Sequence, residues 1–274
     1  MSVKITTPEE HLGFKVGTDR KLADWPEIVE YFKKVGEESN RVTVDVLGES
    51  TLGNPFLLAI VSSSENLDKI EEYRDIQLKL SNPDGLSDEE ARELIEKGKT
   101  ICMISCSIHS TEVGGSQMSM ELLYRLASED LEEVKEILEN VIFLFVPSLN
   151  PDGNRIVVDW YEKYLGTEFE GSGPPYVYHE YAGHDNNRDW YMFNLKETQL
   201  TVEHIHNKWH PQIVYDIHQM GQDGPRFFVP PFTDPYEPNI DPVILSGVNF
   251  MGTSMADALN REGKAGVVTY WIFD

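Results

Sequence analysis

The sequence predicts an α/β fold: a three-layer α/β/α sandwich with a mixed, largely parallel central sheet. Two observations carry this. Short apolar runs at 100–107, Val141–Val146 and Ile213–Ile217 have the length of strands buried on both faces. Between them lie longer segments with apolar residues at helical spacing, and strands alternating with helices make a largely parallel sheet covered on both sides. The chain has 274 residues, of which 40% are hydrophobic. That is enough for one large core, so 1–274 reads as a single catalytic-type domain.

The elements follow in order. Segment 21–36 carries Leu22, Trp25, Ile28, Val29, Phe32 and Val35 on one helical face, with Gly36 as a stop signal. Residues 42–47 alternate apolar and polar, 56–61 are continuously apolar, and the turn-rich 48–55 joins them as a strand pair. Segment 66–98 is charged and helical, broken at Asn82-Pro83-Asp84-Gly85, so 64–98 reads as a surface excursion. The strand 100–107 leads to helices at 115–127 and 131–139, and then to the strand Val141–Val146. Residues 159–185 are rich in Gly, Pro and Tyr and read as a long loop beside a cleft. An amphipathic helix at 195–209 precedes Ile213–Ile217, an irregular stretch at 223–239, a helix at 242–262 and a strand at 267–273.

Composition narrows the function. A net charge of −24 repels nucleic acid and anionic lipid, so neither is an expected partner. No apolar run reaches the length of a membrane span, and membrane insertion is not expected. Residues 1–10 lack the basic start and apolar stretch of a secretory signal, leaving a cytoplasmic location by default, or export if a leader precedes them. Cys102 and Cys106 lie four apart on one strand, roughly 13 Å, too far for a disulfide.

Chemistry gathers at the ends of the buried strands, where open α/β sheets bind ligands. His109 and Glu112 stand three apart in a strand-to-helix turn and offer one nitrogen and one carboxylate to a common point. Alone, the pair reads more plainly as a helix-start acid beside a hydrogen-bonded histidine. His218 ends another strand, and with the first two it completes a two-histidine, one-glutamate set that leaves a position open for water. In Asp185-Asn186-Asn187-Arg188, the arginine fork suits a carboxylate, and Asp185 suits the free nitrogen of a ligating histidine. A surface turn with an ion pair is the plainer reading of those four residues, and Asn150-Pro151-Asp152-Gly153 by itself is a turn.

These elements, in this order from about Thr100 to His218, resemble the M14 family of zinc carboxypeptidases. The handful of matching motifs are Ser107 to Glu112, the Asn-Pro-Asp-Gly turn, Asp185 to Arg188 and the strand ending at His218. The resemblance implies one zinc ion held by His109, Glu112 and His218, with Asp185 behind His109. It implies Asn187 and Arg188 as binders of a terminal carboxylate, with Tyr270 as a further substrate contact. The implied reaction removes C-terminal residues from peptides by metal-activated water, so the implied partner is a peptide with a free C-terminus. The family's general-base glutamate is expected well beyond the last zinc histidine, on a C-terminal part beyond Asp274; Glu237 and Glu262 stand in the wrong context. The family's oxyanion-binding arginine has no counterpart between Ile156 and Asn187.

Three alternatives stay open. A zinc deacylase or amidase acting on small amides or cell-wall peptides would share the ligands, and a non-catalytic zinc- or peptide-binding chain would lack the base. A rival metal cluster is Glu203, His206 and His210, which share one helical face at i, i+3 and i+7, although an ordinary solvated helix face is the plainer reading of that trio.

Overall fold

The computed structural model describes residues 4–178, 182–221, 223–232 and 237–269. The chain divides into two compact units, 1–219 and 220–274.

The first unit opens with α1 (Pro8–Leu12) and α2 (Trp25–Glu38). Asp24 caps α2, and Glu27 reaches back to the Asp24 N–H, a reciprocal capping box. The helix runs past Gly36, because that glycine lets α2 press on Val44: a Cβ there would meet the Val44 side chain at 3.1 Å. Strands β1 (Val42–Glu49) and β2 (Pro55–Val61) form the expected antiparallel pair. The excursion holds α3 (Ser64–Leu67), α4 (Ile70–Ser81) and α5 (Asp88–Lys97), with α4 and α5 parted at the Asn-Pro-Asp-Gly turn. Strand β3 (Thr100–Cys106), α6 (Val113–Ser128), α7 (Glu132–Asn140) and β4 (Val141–Val146) follow as anticipated.

The expected loop at 159–185 begins later than the sequence suggested. A helix, α8 (Pro151–Tyr164), occupies its start. Asn150 caps α8 by accepting from the Gly153 N–H at 2.8 Å, and Pro151 sits at the first helical position, so the turn motif is a helix start. The helix expected at 195–209 is α9 (Lys196–Thr201), a π turn at Val202–His206 and α10 (Asn207–Trp209). Strand β5 (Ile213–Ile217) closes the first unit.

The sheet order is β1-β2-β4-β3-β5. Strands β3, β4 and β5 are mutually parallel, and β2 runs antiparallel to both of its neighbours. Its apolar run has a plain cause. Leu57, Ala59 and Val61 pack on one face with α2 and α6; Phe56, Leu58 and Ile60 pack on the other with α4 and Trp209 of α10. Strand β4 divides alike, Phe145 to the first face and Ile142, Leu144 and Val146 to the second. This is the three-layer sandwich the sequence indicated. Cys102 and Cys106 are free thiols, and burial pushes Cys102 up to about 11 and Cys106 higher still, so both stay protonated.

In the second unit, β6 (Phe227–Phe228) pairs in parallel with β7 (Val267–Val268), flanking α11 (Pro242–Arg261). Gly252 of α11 backs directly onto the Pro230 carbonyl, where any side chain would collide. The strand expected at 267–273 is seen over Val267–Val268; residues 270–274 lie outside the described residues.

Candidate metal centre

The register Cys106↔Ile217 sets the ends of β3 and β5 side by side, so the turn after each emerges at one edge of the sheet. That edge carries the histidines. After β3 the backbone bends at Ser107, whose φ of +52° lies in the left-handed region that non-glycine residues rarely adopt. The Ser107 hydroxyl holds the bend: Oγ donates to the Glu112 carbonyl at 2.6 Å and accepts from the Ser116 N–H at 2.9 Å. Glu112 is thereby fixed at the mouth of α6. Gly114 and Gly115 let the helix start approach its neighbours. A Cβ on Gly114 would lie 2.7 Å from Gln219 Oε1, and one on Gly115 would lie 2.9 Å from Ser107 Oγ. Asn150 grips the same turn from α8, its Nδ2 donating to the Ile108 carbonyl at 3.0 Å and to Ser110 Oγ at 3.2 Å. Ser110 in turn donates to the Val177 carbonyl, drawing the long loop to the site.

His109 Nδ1 lies 2.9 Å from Glu112 Oε1, and His218 Nδ1 lies 3.3 Å from Glu112 Oε2. The two Nδ1 atoms are 3.2 Å apart. Behind each ring stands a carboxylate: Asp185 Oδ2 is 3.2 Å from His109 Nε2, and Asp216 Oδ2 is 2.9 Å from His218 Nε2. With a cation held at both Nδ1 atoms, each Nε2 is left to carry the ring hydrogen toward its carboxylate, since an ionised carboxylate only accepts, and each neutral ring turns the lone pair of Nδ1 inward. Two nitrogen lone pairs and a carboxylate then converge, and Glu112 Oε2 is buried with no hydrogen-bond partner. Such a set of acceptors repels itself unless a cation joins it, and its nitrogen and oxygen donors suit zinc. Among the described residues, these are the three His, Cys, Asp or Glu side chains placed to hold a metal ion. Without one, His218 is raised to about 10, first by its hydrogen bond to Asp216 and then by Glu112, with burial opposing.

Asp185 also caps the short 3-10 turn Asn186–Arg188, its Oδ1 accepting from the Asn187 N–H at 2.7 Å. Arg188 is exposed, and among the described residues its guanidinium makes one hydrogen bond, to the Asn187 carbonyl at 3.1 Å. The Asn187 amide oxygen is engaged by Trp190 Nε1 at 3.1 Å. Tyr178 hydrogen bonds to Asp185; burial first, then the Asp185 charge, raise its phenol, which stays a neutral donor.

One residue of this site, Asp216, has no role in the sequence reading, and Tyr178 stands there only as one of several loop aromatics that could shape the pocket or pack the loop down. Asp216 and His218 share a strand face by their spacing of two, the signal by which Asp216 was legible. Tyr178 lies in an aperiodic loop, so nothing local singled it out from the other loop aromatics as the partner of Asp185. Tyr270 lies outside the described residues. The rival trio does not assemble, because the π turn over Val202–His206 breaks the i, i+3, i+7 register, and His210 leaves the helix at a φ of +44°. Arg155 is spent on structure, donating to Asn54 Oδ1 at 3.1 Å.

The family model described as zinc carboxypeptidase matches residues 28–222, well over half of the chain. Among solved structures, the carboxypeptidase A from Helicoverpa armigera aligns with a TM-score of 0.59 at 15% identity, over 93% of this chain and 58% of that one. A metallo-carboxypeptidase from Burkholderia cenocepacia aligns at 0.56 and 20% identity, over 89% and 53%. Thrombin activatable fibrinolysis inhibitor aligns at 0.58 and 12% identity, over 97% and 64%. At these identities the likeness is one of fold, and the chain spans little more than half the length of the first two. No curated protein matches the sequence. On the family match, the chain belongs to the M14 family of zinc carboxypeptidases.

Proposed function

We propose that His109, Glu112 and His218 hold one zinc ion, and that the chain forms the metal-binding part of a peptidase removing C-terminal residues. The convergence of three acceptors on one point, with Glu112 Oε2 buried and facing His218 Nδ1 at 3.3 Å without a hydrogen bond, carries this reading. The chemistry a zinc ion supplies at such a site is polarisation of a carbonyl and activation of a bound water. The residues of the chain do the rest. Asp185 keeps the His109 ring in place, and Tyr178 keeps Asp185 in place. The Arg188 guanidinium presents its fork to solvent beside Asp185 and suits the terminal carboxylate of a peptide, with the Asn187 amide as its neighbour. The proton acceptor for the water is unassigned, since Glu237 and Glu262 are exposed residues of the second unit.

Calorimetry on the zinc-loaded chain tests this. A short peptide with a free C-terminus binds, its C-terminal amide binds at least tenfold more weakly, and a chelator abolishes any hydrolysis. Equal binding of acid and amide, or hydrolysis indifferent to the chelator, contradicts the proposal.

A further inference from the structure

We infer that Asp216, held by Ser105, is a positioning residue for the zinc site, fixing the ring orientation and tautomer of His218; this rests on the zinc site proposed above. The placement follows from strand geometry. Asp216 and His218 are two apart along β5 and its extension, so their side chains leave the same face. In the neighbouring strand β3, Ser105 is in register with Asp216. The Asp216 carboxylate uses both oxygens: Oδ1 accepts from Ser105 Oγ at 2.7 Å, and Oδ2 lies 2.9 Å from His218 Nε2. Ser105 is 1% exposed, so no water competes freely for its hydroxyl. The carboxylate can only accept the Nε2–H, which leaves Nδ1 as the atom that faces Glu112 and His109.

The two histidines are braced by different means. Asp185 stands on an irregular turn that also carries Asn187 and Arg188, so it ties the metal end of the site to the carboxylate-binding end. Asp216 and Ser105 stand on adjacent strands within the paired register, one pair from its end, which makes their geometry that of the sheet itself. Changing Asp216 should therefore loosen the metal without disturbing the turn that presents Arg188. A purely structural Asp216 would act on folding and leave the metal alone.

The test compares wild type, Asp216→Ala, Asp216→Asn, Ser105→Ala and His218→Ala. Zinc dissociation constants come from competition with a chelator, and the His218 ring is followed by nitrogen-15 NMR in the zinc-loaded proteins. Asp216→Ala should weaken zinc roughly 10- to 100-fold, the range for removing an outer partner of a ligating histidine. Its His218 Nε2–H signal should lose the downfield position and slow exchange of a hydrogen-bonded proton. Asp216→Asn, which keeps an acceptor oxygen, should recover part of both, and Ser105→Ala should fall between wild type and Asp216→Ala. If His218→Ala loses zinc while the Asp216 and Ser105 variants bind within twofold of wild type with an unchanged ring signal, the positioning role is overturned and the zinc site stands. If His218→Ala keeps its zinc, both ideas fall. Should Asp216→Ala not fold, Asp216→Asn and Ser105→Ala still decide the matter.

Discussion

Arg188 is a cation held in the open beside a site otherwise made of acids and imidazoles, in a chain of net charge −24. An exposed guanidinium is inexpensive to the fold and available to a ligand, so its substitution should separate binding from stability. Arg188→Ala is expected to weaken binding of a free-acid peptide by about 1.5–3 kcal/mol, the worth of hydrogen bonds to a charged group, and to leave the unfolding temperature within about a degree. Calorimetry and a thermal melt check both halves; a loss of stability without a loss of binding would make Arg188 a structural residue. At this scale the sequence was most legible where residues share a turn or a strand. His109 with Glu112, Asp185 with Arg188, and His218 at a strand end were readable because each is placed by its neighbours in the chain. The contact of Tyr178 with Asp185 was not, because a loop tethered through Ser110 to Val177 places that tyrosine, and a tether across 67 residues has no local pattern.

The elements converging on the site are held by capping and close approach, and single changes report on both. Asn150→Ala removes the cap of α8 and the two bonds to the His109 turn. The cap alone is worth about 1 kcal/mol, so a loss of about 2 kcal/mol or more in denaturant titration indicates that the bonds to Ile108 and Ser110 also matter. Gly115→Ala drives a methyl toward Ser107 Oγ and is expected to cost about 1–3 kcal/mol, a typical penalty for overpacking. Strands β2 and β4 were legible because burial on both faces removes every polar residue from the pattern, whereas β3 and β5 stay largely apolar but keep Ser105 and Asp216. The start of α8 was hidden because Asn-Pro-Asp-Gly reads as a turn when the capping bond of Asn150 is not seen. The π turn at Val202–His206 was hidden because nothing in its composition differs from an ordinary helix.

For the whole molecule, two buried carboxylates tie separate parts of the first unit together. Asp152 of α8 accepts from the Ser50 hydroxyl, from the Leu52 N–H at 2.8 Å and from Asn54 Nδ2 at 2.6 Å. Glu197 of α9 accepts from the Thr51 N–H and hydroxyl, each at 2.9 Å. Burial first, and the Asp152 charge after it, raise Glu197 above the ordinary glutamate range. A carboxyl whose folded pKa is raised binds its proton more tightly when folded. Its contribution to stability is therefore complete below the unfolded value, near 4.5, and is lost as pH rises through the raised one. Glu197→Gln keeps an acceptor for Thr51 and removes the charge. Its melting temperature relative to wild type should rise between pH 4.5 and 7.5; a difference independent of pH would contradict the assignment.

The proposed site rests on one physical statement: three acceptors on two strand ends and one helix mouth converge because a zinc ion belongs between them. Elemental analysis of zinc per chain, for the wild type beside His218→Ala and Glu112→Gln, tests it most directly. The expected result is about one zinc in the wild type and little in either variant, as for ligands that each contribute strongly to affinity. Equal zinc in all three proteins would place the metal elsewhere, and no zinc in the wild type would contradict the site altogether.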